Sequence, residues 1–294
     1  MTTVARSLTR IGDLTEEGTS HTIEAGGMTV HYHDIGTGFP IIMLHSYGLG
    51  TTSWITWFKI FPELSKHFRL IAMDLPNFAK TGPIIYNEPI HTFQAMTAHA
   101  LMDALGIEKA HLVGNSQGGQ TAMVFSYMYP HRVEKLVWGA GHIGTRGGYV
   151  GEYTFTVHPE ASSLINREAM DDPSPENFRR YLRFHIRDES LITDELIEYL
   201  RYMYTYRPDM TEARDKSGGP PHNHLYEMKD IQAPTLMIWG RYDRTCNFEI
   251  GFNSLNRIRN SRLVVLHCGH WVPFEKPEEY TSHVMNFLQG DWAQ

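Results

Sequence analysis

Short apolar segments alternate with helix-like segments along most of this chain, and that alternation constrains the fold more than any other feature. Six of these segments are apolar at both odd and even positions, as expected for strands covered on both faces of a sheet. They are residues 40–45, 68–74, 110–114, 133–140, 234–240 and 261–267. Strands that alternate with helices form βαβ units, so the pattern predicts an α/β fold with a mostly parallel central sheet flanked by helices.

The segments between these strands carry apolar residues at a period close to 3.6, which is typical of helices packed on one face. Three such helices are predicted, at residues 91–105, 117–129 and 277–288. A further strand at residues 28–35 alternates between apolar and polar residues, and we expect one of its faces to be exposed. Residues 1–20 are predicted to be a loose arm.

The pattern changes between residues 141 and 227, where no strand-like segment occurs. Helix-like segments at residues 175–186 and 193–204 dominate this region instead. We therefore predict that residues 1–140 and 228–294 form one α/β core. Residues 141–227 are predicted to form a helical lid, inserted between two strands of the core sheet and lying over the strand ends.

Composition excludes several classes of function. The chain has 26 Lys and Arg against 33 Asp and Glu, a net charge of −7, and no run of five like charges, which argues against nucleic-acid binding. No apolar run approaches the ~18 residues of a membrane span, and the N-terminus lacks the apolar stretch of a secretory signal. Two cysteines do not make a disulfide framework. We therefore expect a cytoplasmic protein without a membrane partner, and homo-oligomerisation stays open.

The strongest chemical signal lies in residues 114–118, which read GNSQG and fit the pattern Gly-x-Ser-x-Gly. The motif follows a predicted strand and opens a predicted helix, which is the context of a nucleophile on a sharp strand-to-helix turn. Glycines on both sides of Ser116 relieve crowding in such a turn and leave the hydroxyl free at the edge of the sheet. A chance match in a glycine-bearing turn is the alternative. The motif predicts that Ser116 is a nucleophile.

A serine hydroxyl is a weak nucleophile and needs a base, which in turn needs an acid to orient it. His270 lies just after the last predicted strand, and Asp243 lies just after the strand before it. We predict that His270 is the base and Asp243 the acid. The competing readings are His267 as the base and a surface salt bridge between Asp243 and Arg244.

Attack on a carbonyl creates an oxyanion, which is stabilised by two backbone N–H groups. The N–H of Gln117 lies at a helix N-terminus, where negative charge is favoured. Residues 45–50 (HSYGLG) follow another predicted strand. In the related His-Gly-x-Gly pattern the residue two after the histidine donates its amide, so we predict that Tyr47 is the second donor. A plain glycine-rich turn is the alternative.

Histidines elsewhere in the chain do not predict a metal site. His31 and His33 share one strand face, but no third ligand is evident. His222 and His224 lie in a predicted loop and likewise lack further ligands. No dinucleotide or phosphate-binding glycine motif is present. We therefore expect neither a metal nor a cofactor.

These residues are similar to those of the α/β-hydrolase superfamily and, more narrowly, of the meta-cleavage product hydrolases. That family breaks a C–C bond in 2-hydroxy-6-oxo-hexa-2,4-dienoates, which arise from ring cleavage of catechols. The resemblance extends from about residue 28 to residue 288. It rests on residues 114–119 (GNSQGG), 188–196 (DESLITDEL), 240–244 (GRYDR) and 269–271 (GHW), and on Trp54.

The resemblance implies an α/β-hydrolase fold with a helical lid, the order Ser116, Asp243, His270 in the triad, and a small-molecule substrate. It also implies substrate contacts, and we assign these to Ser46, Gly48, Asn115, Arg201 and Trp271.

The chain departs from the family pattern in several places. The family's oxyanion loop reads H-G-x-G-P-G, whereas Ser46 and Leu49 stand here at its first glycine and its proline. Thr56 stands where the family often has a substrate-binding asparagine. Leu200 stands where the family has the arginine that grips the substrate carboxylate, with Arg201 one position away. The family's D-x-P-G-x-G-x-S loop is altered at residues 74–81 (DLPNFAKT).

The sequence thus predicts a serine hydrolase that cleaves a C–C bond in 2-hydroxy-6-oxo-hexa-2,4-dienoate-type ring-cleavage products. A carboxylesterase acting on an aromatic or alkyl ester is the alternative, because the same triad suffices and no grip on a dienoate is needed. A binding protein that kept the fold but lost the chemistry is a third reading, against which the complete set of Ser, Asp and His argues.

Overall fold

The computed structural model describes residues 7–141 and 159–291. Within them, eight strands form one sheet in the order β10-β9-β8-β7-β5-β6-β4-β3, and a separate two-stranded hairpin pairs β1 with β2. The strands are β1 (Arg10–Ile11), β2 (Leu14–Thr15), β3 (Ser20–Ala25), β4 (Met28–Ile35), β5 (Pro40–Leu44), β6 (Arg69–Met73), β7 (Ala110–Asn115), β8 (Val133–Gly139), β9 (Thr235–Gly240) and β10 (Ser261–Leu266). The six strands from β10 to β6 pair in parallel, whereas β4 and β3 pair antiparallel at one edge.

Helices cover both faces of the sheet. They are α1 (Ser53–Trp57), α2 (Phe61–Leu64), α3 (Ile90–Ala104), α4 (Gln117–Met128), α5 (Pro159–Asp171), α6 (Pro175–His185), α7 (Asp194–Thr205), α8 (Pro208–Asp215), α9 (Glu249–Leu255), α10 (Val272–Glu275) and α11 (Pro277–Gln289). Successive residues of a strand point to opposite faces. Accordingly, Ile41 and Met43 belong to one buried apolar cluster, and Ile42 and Leu44 belong to the other.

The predicted α/β architecture is therefore confirmed, and the six predicted core strands end within two residues of the observed ones. Their apolar residues are buried on both faces because helices pack on each side. The parallel order also brings the carboxyl ends of β5, β7, β8, β9 and β10 to one edge of the sheet, where loops from distant parts of the sequence meet.

Four helices, α5 to α8, lie between β8 and β9 and form the region that we call the helical segment. Residues 142–158 of the predicted insertion lie outside the described residues. Helices α6 and α7 are amphipathic, and their inward faces bury Phe178, Tyr181, Leu196 and Leu200. Whether this segment acts as a lid stays a prediction.

The prediction of a loose N-terminal arm is wrong for the described residues from Ser7 onward. Leu8, Ile11 and Leu14 pack against a buried apolar cluster. The indole N–H of Trp54 also donates a hydrogen bond to the Leu8 carbonyl at 2.6 Å. Apolar side chains at every third position give this short segment a face to bury, and the segment is therefore part of the core.

The prediction of an exposed face on β4 is also wrong. His31 and His33 are each 1% exposed. His31 hydrogen-bonds to Ser20 Oγ and to Asp74 Oδ2, both at 2.6 Å, and Thr19 Oγ1 contacts His33 Nδ1 at 2.9 Å. His31 and His33 can be buried on this face because each has a hydrogen-bond partner.

A buried polar network joins the N-terminal segment to helix α7. Tyr199 donates its hydroxyl to Glu16 Oε1 at 3.3 Å and contacts Thr52 Oγ1 at 3.1 Å. Burial raises the pKa of Glu16, although the charge of Lys80 opposes this effect. The helical segment is thus tied to the core by hydrogen bonds as well as by apolar packing.

Candidate active site

Ser116 occupies a strained turn between β7 and α4. Its backbone has φ of 55° and ψ of −123°, which a non-glycine residue rarely adopts. A Cβ atom at Gly118 would lie 2.0 Å from the Leu44 carbonyl oxygen, and one at Gly114 would lie 2.2 Å from the Gly118 carbonyl oxygen. The glycines of the motif are therefore required by close backbone approach, as the sequence indicated.

Three predicted side chains meet at the carboxyl edge of the sheet. Ser116 Oγ lies 2.8 Å from His270 Nε2, and His270 Nδ1 lies 2.7 Å from Asp243 Oδ2. All three residues are at least nine-tenths buried. An Nδ1–H that donates to the carboxylate leaves Nε2 free to accept the serine proton, which is the arrangement of a serine nucleophile with its base.

Asp243 is held by the turn that follows β9. Its second oxygen, Oδ1, accepts the backbone N–H groups of Thr245 and Cys246, both at 2.8 Å. These two bonds fix the carboxylate so that Oδ2 faces the imidazole. Arg244 has no ion pair with Asp243 among the described residues, and His267 is exposed and contacts the Tyr242 hydroxyl. Neither competing reading is supported by this geometry.

The loop that carries His270 is anchored to the helical segment. The backbone N–H of His270 donates to the His185 carbonyl at 2.7 Å. The buried carboxylate of Glu275 accepts the N–H groups of Gly269, Arg187 and Asp188 at 2.9, 2.8 and 3.2 Å. Burial raises the pKa of Glu275, and the three N–H groups counteract that effect.

The backbone N–H groups of Tyr47 and Gln117 have no hydrogen-bond partner among the described residues. His45 orders the loop before Tyr47, because its Nε2 accepts the N–H of Leu75 at 2.9 Å and its Nδ1–H donates to the Ser46 carbonyl at 2.8 Å. Both residues line the same cavity as Ser116. Their assignment to the oxyanion hole stays a prediction.

A cavity of about 250 Å³ opens beside the nucleophile. Its described wall comes from the core and from the helical segment together, and consists of Tyr47, Ile90, His91, Ser116, Gln117, Gln120, Asn166, Tyr181, His185, Thr245, Cys246 and His270. The wall combines aromatic and aliphatic surface with polar groups, as is typical of a small-molecule site.

The described wall carries no lysine or arginine. His185 is neutral near pH 7, because burial and the neighbouring His270 lower its pKa to about 3. Its Nδ1–H donates to the Tyr181 carbonyl at 2.8 Å, so its Nε2 keeps a lone pair. Burial also holds the pKa of the Cys246 thiol well above its usual range, which makes a thiolate nucleophile at this position unfavourable.

Comparison with known proteins agrees with this geometry. The sequence model of the α/β hydrolase fold matches residues 40–277. The chain belongs to the α/β-hydrolase fold family.

Two curated relatives and one solved structure are similar to this chain over nearly its whole length. The chain is 32% identical to a 2-hydroxy-6-oxononadienedioate/2-hydroxy-6-oxononatrienedioate hydrolase of Burkholderia vietnamiensis over 94% of this chain and 97% of that protein. It is also 32% identical to the 2-hydroxy-6-oxo-2,4-heptadienoate hydrolase of Pseudomonas putida over 91% and 95%. A meta-cleavage product hydrolase of Pseudomonas fluorescens IP01 is similar with a TM-score of 0.77 at 29% identity, over 91% and 97%. The resemblance predicted from the motifs is confirmed.

Several predicted substrate contacts of this α/β hydrolase do not line the described cavity. Asn115 is 1% exposed, and its side-chain amide donates to Ser46 Oγ at 2.9 Å and to the His270 carbonyl at 3.3 Å. Asn115 and Ser46 therefore tie the loop that carries Tyr47 to the loop that carries His270. Gly48 leaves room for Thr51 and Tyr181, since a Cβ there would lie 2.9 Å from the Tyr181 hydroxyl oxygen.

Arg201 and Trp271 also lie elsewhere. The guanidinium of Arg201 donates through Nε to the Pro173 carbonyl, so the prediction of a carboxylate grip by Arg201 is not supported. Leu200 is fully buried in the apolar core. Trp271 is 4% exposed and packs on Phe274 with ring centroids 5.7 Å apart. These side chains follow helix and core packing, which a linear motif does not reveal.

Thr56 is likewise engaged outside the cavity. Its hydroxyl donates to the Thr52 carbonyl at 2.9 Å, within the first turn of α1.

Among the described residues, no group of three or more His, Cys, Asp or Glu side chains is arranged to hold a metal ion. In the same part of the chain, no helix has the length and apolar character needed to cross a bilayer.

Sequence reasoning missed eight of the residues that line the cavity, namely Ile90, His91, Gln120, Asn166, Tyr181, His185, Thr245 and Cys246. Asn166, Tyr181 and His185 come from the helical segment, where no motif marks them. Thr245 lies two residues after Asp243, and that proximity was the one available signal.

Proposed function

We propose that this protein is a serine hydrolase that cleaves the C–C bond of 2-hydroxy-6-oxo-hexa-2,4-dienoate-type compounds. The observation that carries the proposal is the contact chain from Ser116 through His270 to Asp243, beside a cavity of about 250 Å³. The names of the relatives, all hydrolases of such dienoates, support the choice of substrate. Ser116 is the nucleophile, His270 the base and Asp243 the orienting acid.

The first chemical step follows from this geometry. The substrate ketonises, which places an electron sink beside the scissile bond. Ser116 Oγ then attacks the C6 carbonyl while His270 Nε2 takes its proton, and Asp243 stabilises the resulting imidazolium. The backbone N–H groups of Tyr47 and Gln117 stabilise the oxyanion, where the loss of one such donor typically costs about 3–4 kcal/mol of barrier.

The second step breaks the C–C bond. The tetrahedral intermediate collapses, its C5–C6 bond electrons leave on the dienolate, and His270 returns a proton to that leaving group. The acyl group stays on Ser116 as an ester. Water then attacks this ester, with His270 again taking the proton, and the released acid leaves Ser116 as the free hydroxyl.

A carboxylesterase is the second candidate, and one observation favours it. The described wall of the cavity contains no lysine, arginine, aspartate or glutamate, and Leu200 and Arg201 offer no grip on a substrate carboxylate. An uncharged ester needs no such grip, whereas the same nucleophile and base serve both reactions.

The test compares both substrate classes on one protein. Purified enzyme is mixed with coloured 2-hydroxy-6-oxo-6-phenylhexa-2,4-dienoate and, separately, with a p-nitrophenyl ester, with Ser116→Ala as the control. We expect bleaching of the dienoate that is lost in Ser116→Ala. Ester cleavage that depends on Ser116, without any bleaching of the dienoate, would contradict C–C hydrolysis and establish the esterase.

We further infer that residues 141–227 serve as a lid over the cavity. This inference is supported by Asn166, Tyr181 and His185, which belong to the helical segment and line the cavity beside Ser116.

We also propose a cytoplasmic location, since Cys246 and Cys268 are both buried as free thiols, which suits a reducing compartment. Cell fractionation with an antibody to the protein tests the location.

A further inference from the structure

Three side chains in the cavity wall present buried polar atoms that have no hydrogen-bond partner among the described residues. They are Gln117 Nε2, Asn166 Oδ1 and Thr245 Oγ1. An unpaired buried polar atom costs about 1–3 kcal/mol, so native structures rarely keep one without a reason. These three line one cavity beside Ser116 and His270.

The three atoms come from separate elements. Gln117 opens α4 directly after the nucleophile and is 8% exposed. Asn166 belongs to α5 of the helical segment, and Thr245 belongs to the turn that holds Asp243. Core and helical segment thus each contribute an unsatisfied group to the same small space, which indicates a group supplied by the ligand.

The donor and acceptor properties of these three atoms limit the chemical type of the ligand group. Gln117 Nε2 donates, Asn166 Oδ1 accepts, and the Thr245 hydroxyl does either. A carboxylate only accepts and would leave Asn166 Oδ1 unpaired. Burying its charge against a described wall without lysine or arginine is also costly. A hydroxyl both donates and accepts, and therefore satisfies the set.

We propose that Gln117, Asn166 and Thr245 form a subsite that recognises a hydroxyl group of the substrate. This inference rests on the proposed function, because it names a further group of the substrate whose C6 carbonyl Ser116 attacks. Two hydroxyls qualify: the 2-hydroxyl of the enol form in which these dienoates bind, before ketonisation, and a hydroxyl on the tail attached to C6. A site built to hydrogen-bond a hydroxyl rejects an analogue that lacks it.

The test uses Asn166→Leu and Thr245→Val, which remove the polar atoms and keep similar volumes. Arg167→Leu is the matched control, since Arg167 is an exposed residue of the same helix. The substrates are 2-hydroxy-6-oxo-6-phenylhexa-2,4-dienoate, its counterpart with a hydroxyl on the phenyl ring, and p-nitrophenyl acetate, which has no hydroxyl.

We expect kcat/KM to fall roughly ten- to hundred-fold in Asn166→Leu, less in Thr245→Val, and not in Arg167→Leu. A fall confined to the ring-hydroxylated dienoate assigns the subsite to the tail. An equal fall for both dienoates, with p-nitrophenyl acetate unchanged, assigns it to the 2-hydroxyl. Unchanged kcat/KM for both dienoates, or an equal loss on all three substrates, would overturn the proposal.

Failure of the proposed C–C hydrolysis is recognised separately. In that case the unmodified enzyme bleaches no dienoate, and the subsite is tested with p-nitrophenyl 3-hydroxybutyrate against p-nitrophenyl butyrate. A preference for the hydroxy ester that Asn166→Leu abolishes supports the subsite. Equal rates on the two esters in the unmodified enzyme would overturn it.

Discussion

Glu275 Oε1 accepts the backbone N–H of Gly269 at 2.9 Å, and Gly269 is the residue directly before His270. The other oxygen, Oε2, accepts the N–H groups of Arg187 and Asp188, just beyond helix α6. One buried carboxylate therefore fixes both the loop that carries the proposed base and the chain leaving α6. Glu275 is a positioning residue in this arrangement, because it acts on His270 through the backbone.

Glu275→Gln is expected to lower both stability and kcat. The amide keeps one acceptor oxygen and turns an NH₂ group toward a backbone N–H, which removes a charge-assisted hydrogen bond worth about 1.5–3 kcal/mol. Urea denaturation and dienoate bleaching measure the two effects, and Glu278→Gln, an exposed neighbour, is the control. A reduced stability with kcat and KM unchanged would show that Glu275 supports the fold alone.

Asn115 and Ser46 are expected to act as a coupled pair. The Asn115 amide joins Ser46 Oγ and the His270 carbonyl, so it connects the loop that carries Tyr47 to the loop that carries His270. A double-mutant cycle with Asn115→Ala and Ser46→Ala should give a coupling energy of about 0.5–1.5 kcal/mol in kcat/KM. Strictly additive effects of the two substitutions would rule out this connection.

Asp243→Asn should leave the protein folded but reduce kcat by about 10⁴-fold, the size of effect that loss of the acid has in other serine triads. The asparagine can present its NH₂ group to His270 Nδ1 and so stabilise the wrong tautomer. Steady-state kinetics on either substrate class measures the loss, and circular dichroism checks the fold. Activity within ten-fold of the unmodified enzyme would remove Asp243 from the triad.

Tyr199→Phe tests the polar network that ties helix α7 to the N-terminal segment. Removal of the hydroxyl takes a donor from Glu16 and a partner from Thr52, both buried. We expect the free energy of unfolding to fall by about 1–3 kcal/mol. Tyr202→Phe, on an exposed residue of the same helix, should have little effect. Equal stability of the two variants would mean that the network contributes nothing measurable.

The stability of the protein should decrease as the pH falls below about 6.5. Burial, together with the charge of Lys135, lowers the pKa of His111 from 6.5 to about 4. Between these values the unfolded chain binds more protons at this residue than the folded one, so acid favours unfolding. His111→Leu should therefore lose roughly 2 kcal/mol less stability than the unmodified protein between pH 7 and pH 5.

Denaturant unfolding at the two pH values measures this difference. His131→Leu, at an exposed histidine, is the matched control and should keep the full pH dependence. An identical pH dependence in His111→Leu would show that protonation of His111 does not oppose folding.

Local patterns of the sequence were sufficient for the sheet and for the three proposed catalytic residues. The parallel strands are apolar on both faces, and each of these three residues lies within four positions of the end of a strand, so topology alone brings Ser116, Asp243 and His270 to one edge. The glycine spacing around Ser116 likewise follows from contacts within one turn. The strands and the turn at Ser116 are determined by residues that are close together in the sequence.

The substrate-facing residues could not be predicted in this way. Whether Arg201 reaches the cavity depends on the rotation of α7 about its axis. In this structure its guanidinium donates a hydrogen bond to the Pro173 carbonyl. The exposed face predicted for β4 is wrong because the partners of its histidines, Asp74 and Thr19, are distant or unremarkable in sequence. Contacts between distant segments decide both cases.

Ser116 and His270 lie 154 positions apart, yet their side chains touch. Every part of the sheet between β7 and β10 must be assembled before that contact exists, so catalytic activity is a reporter of the last stage of folding. Recovery of activity after dilution from denaturant then measures the assembly of the whole core. A chain cut between β8 and β9 carries Ser116 on one fragment and His270 on the other, so it can be active only if the two fragments associate.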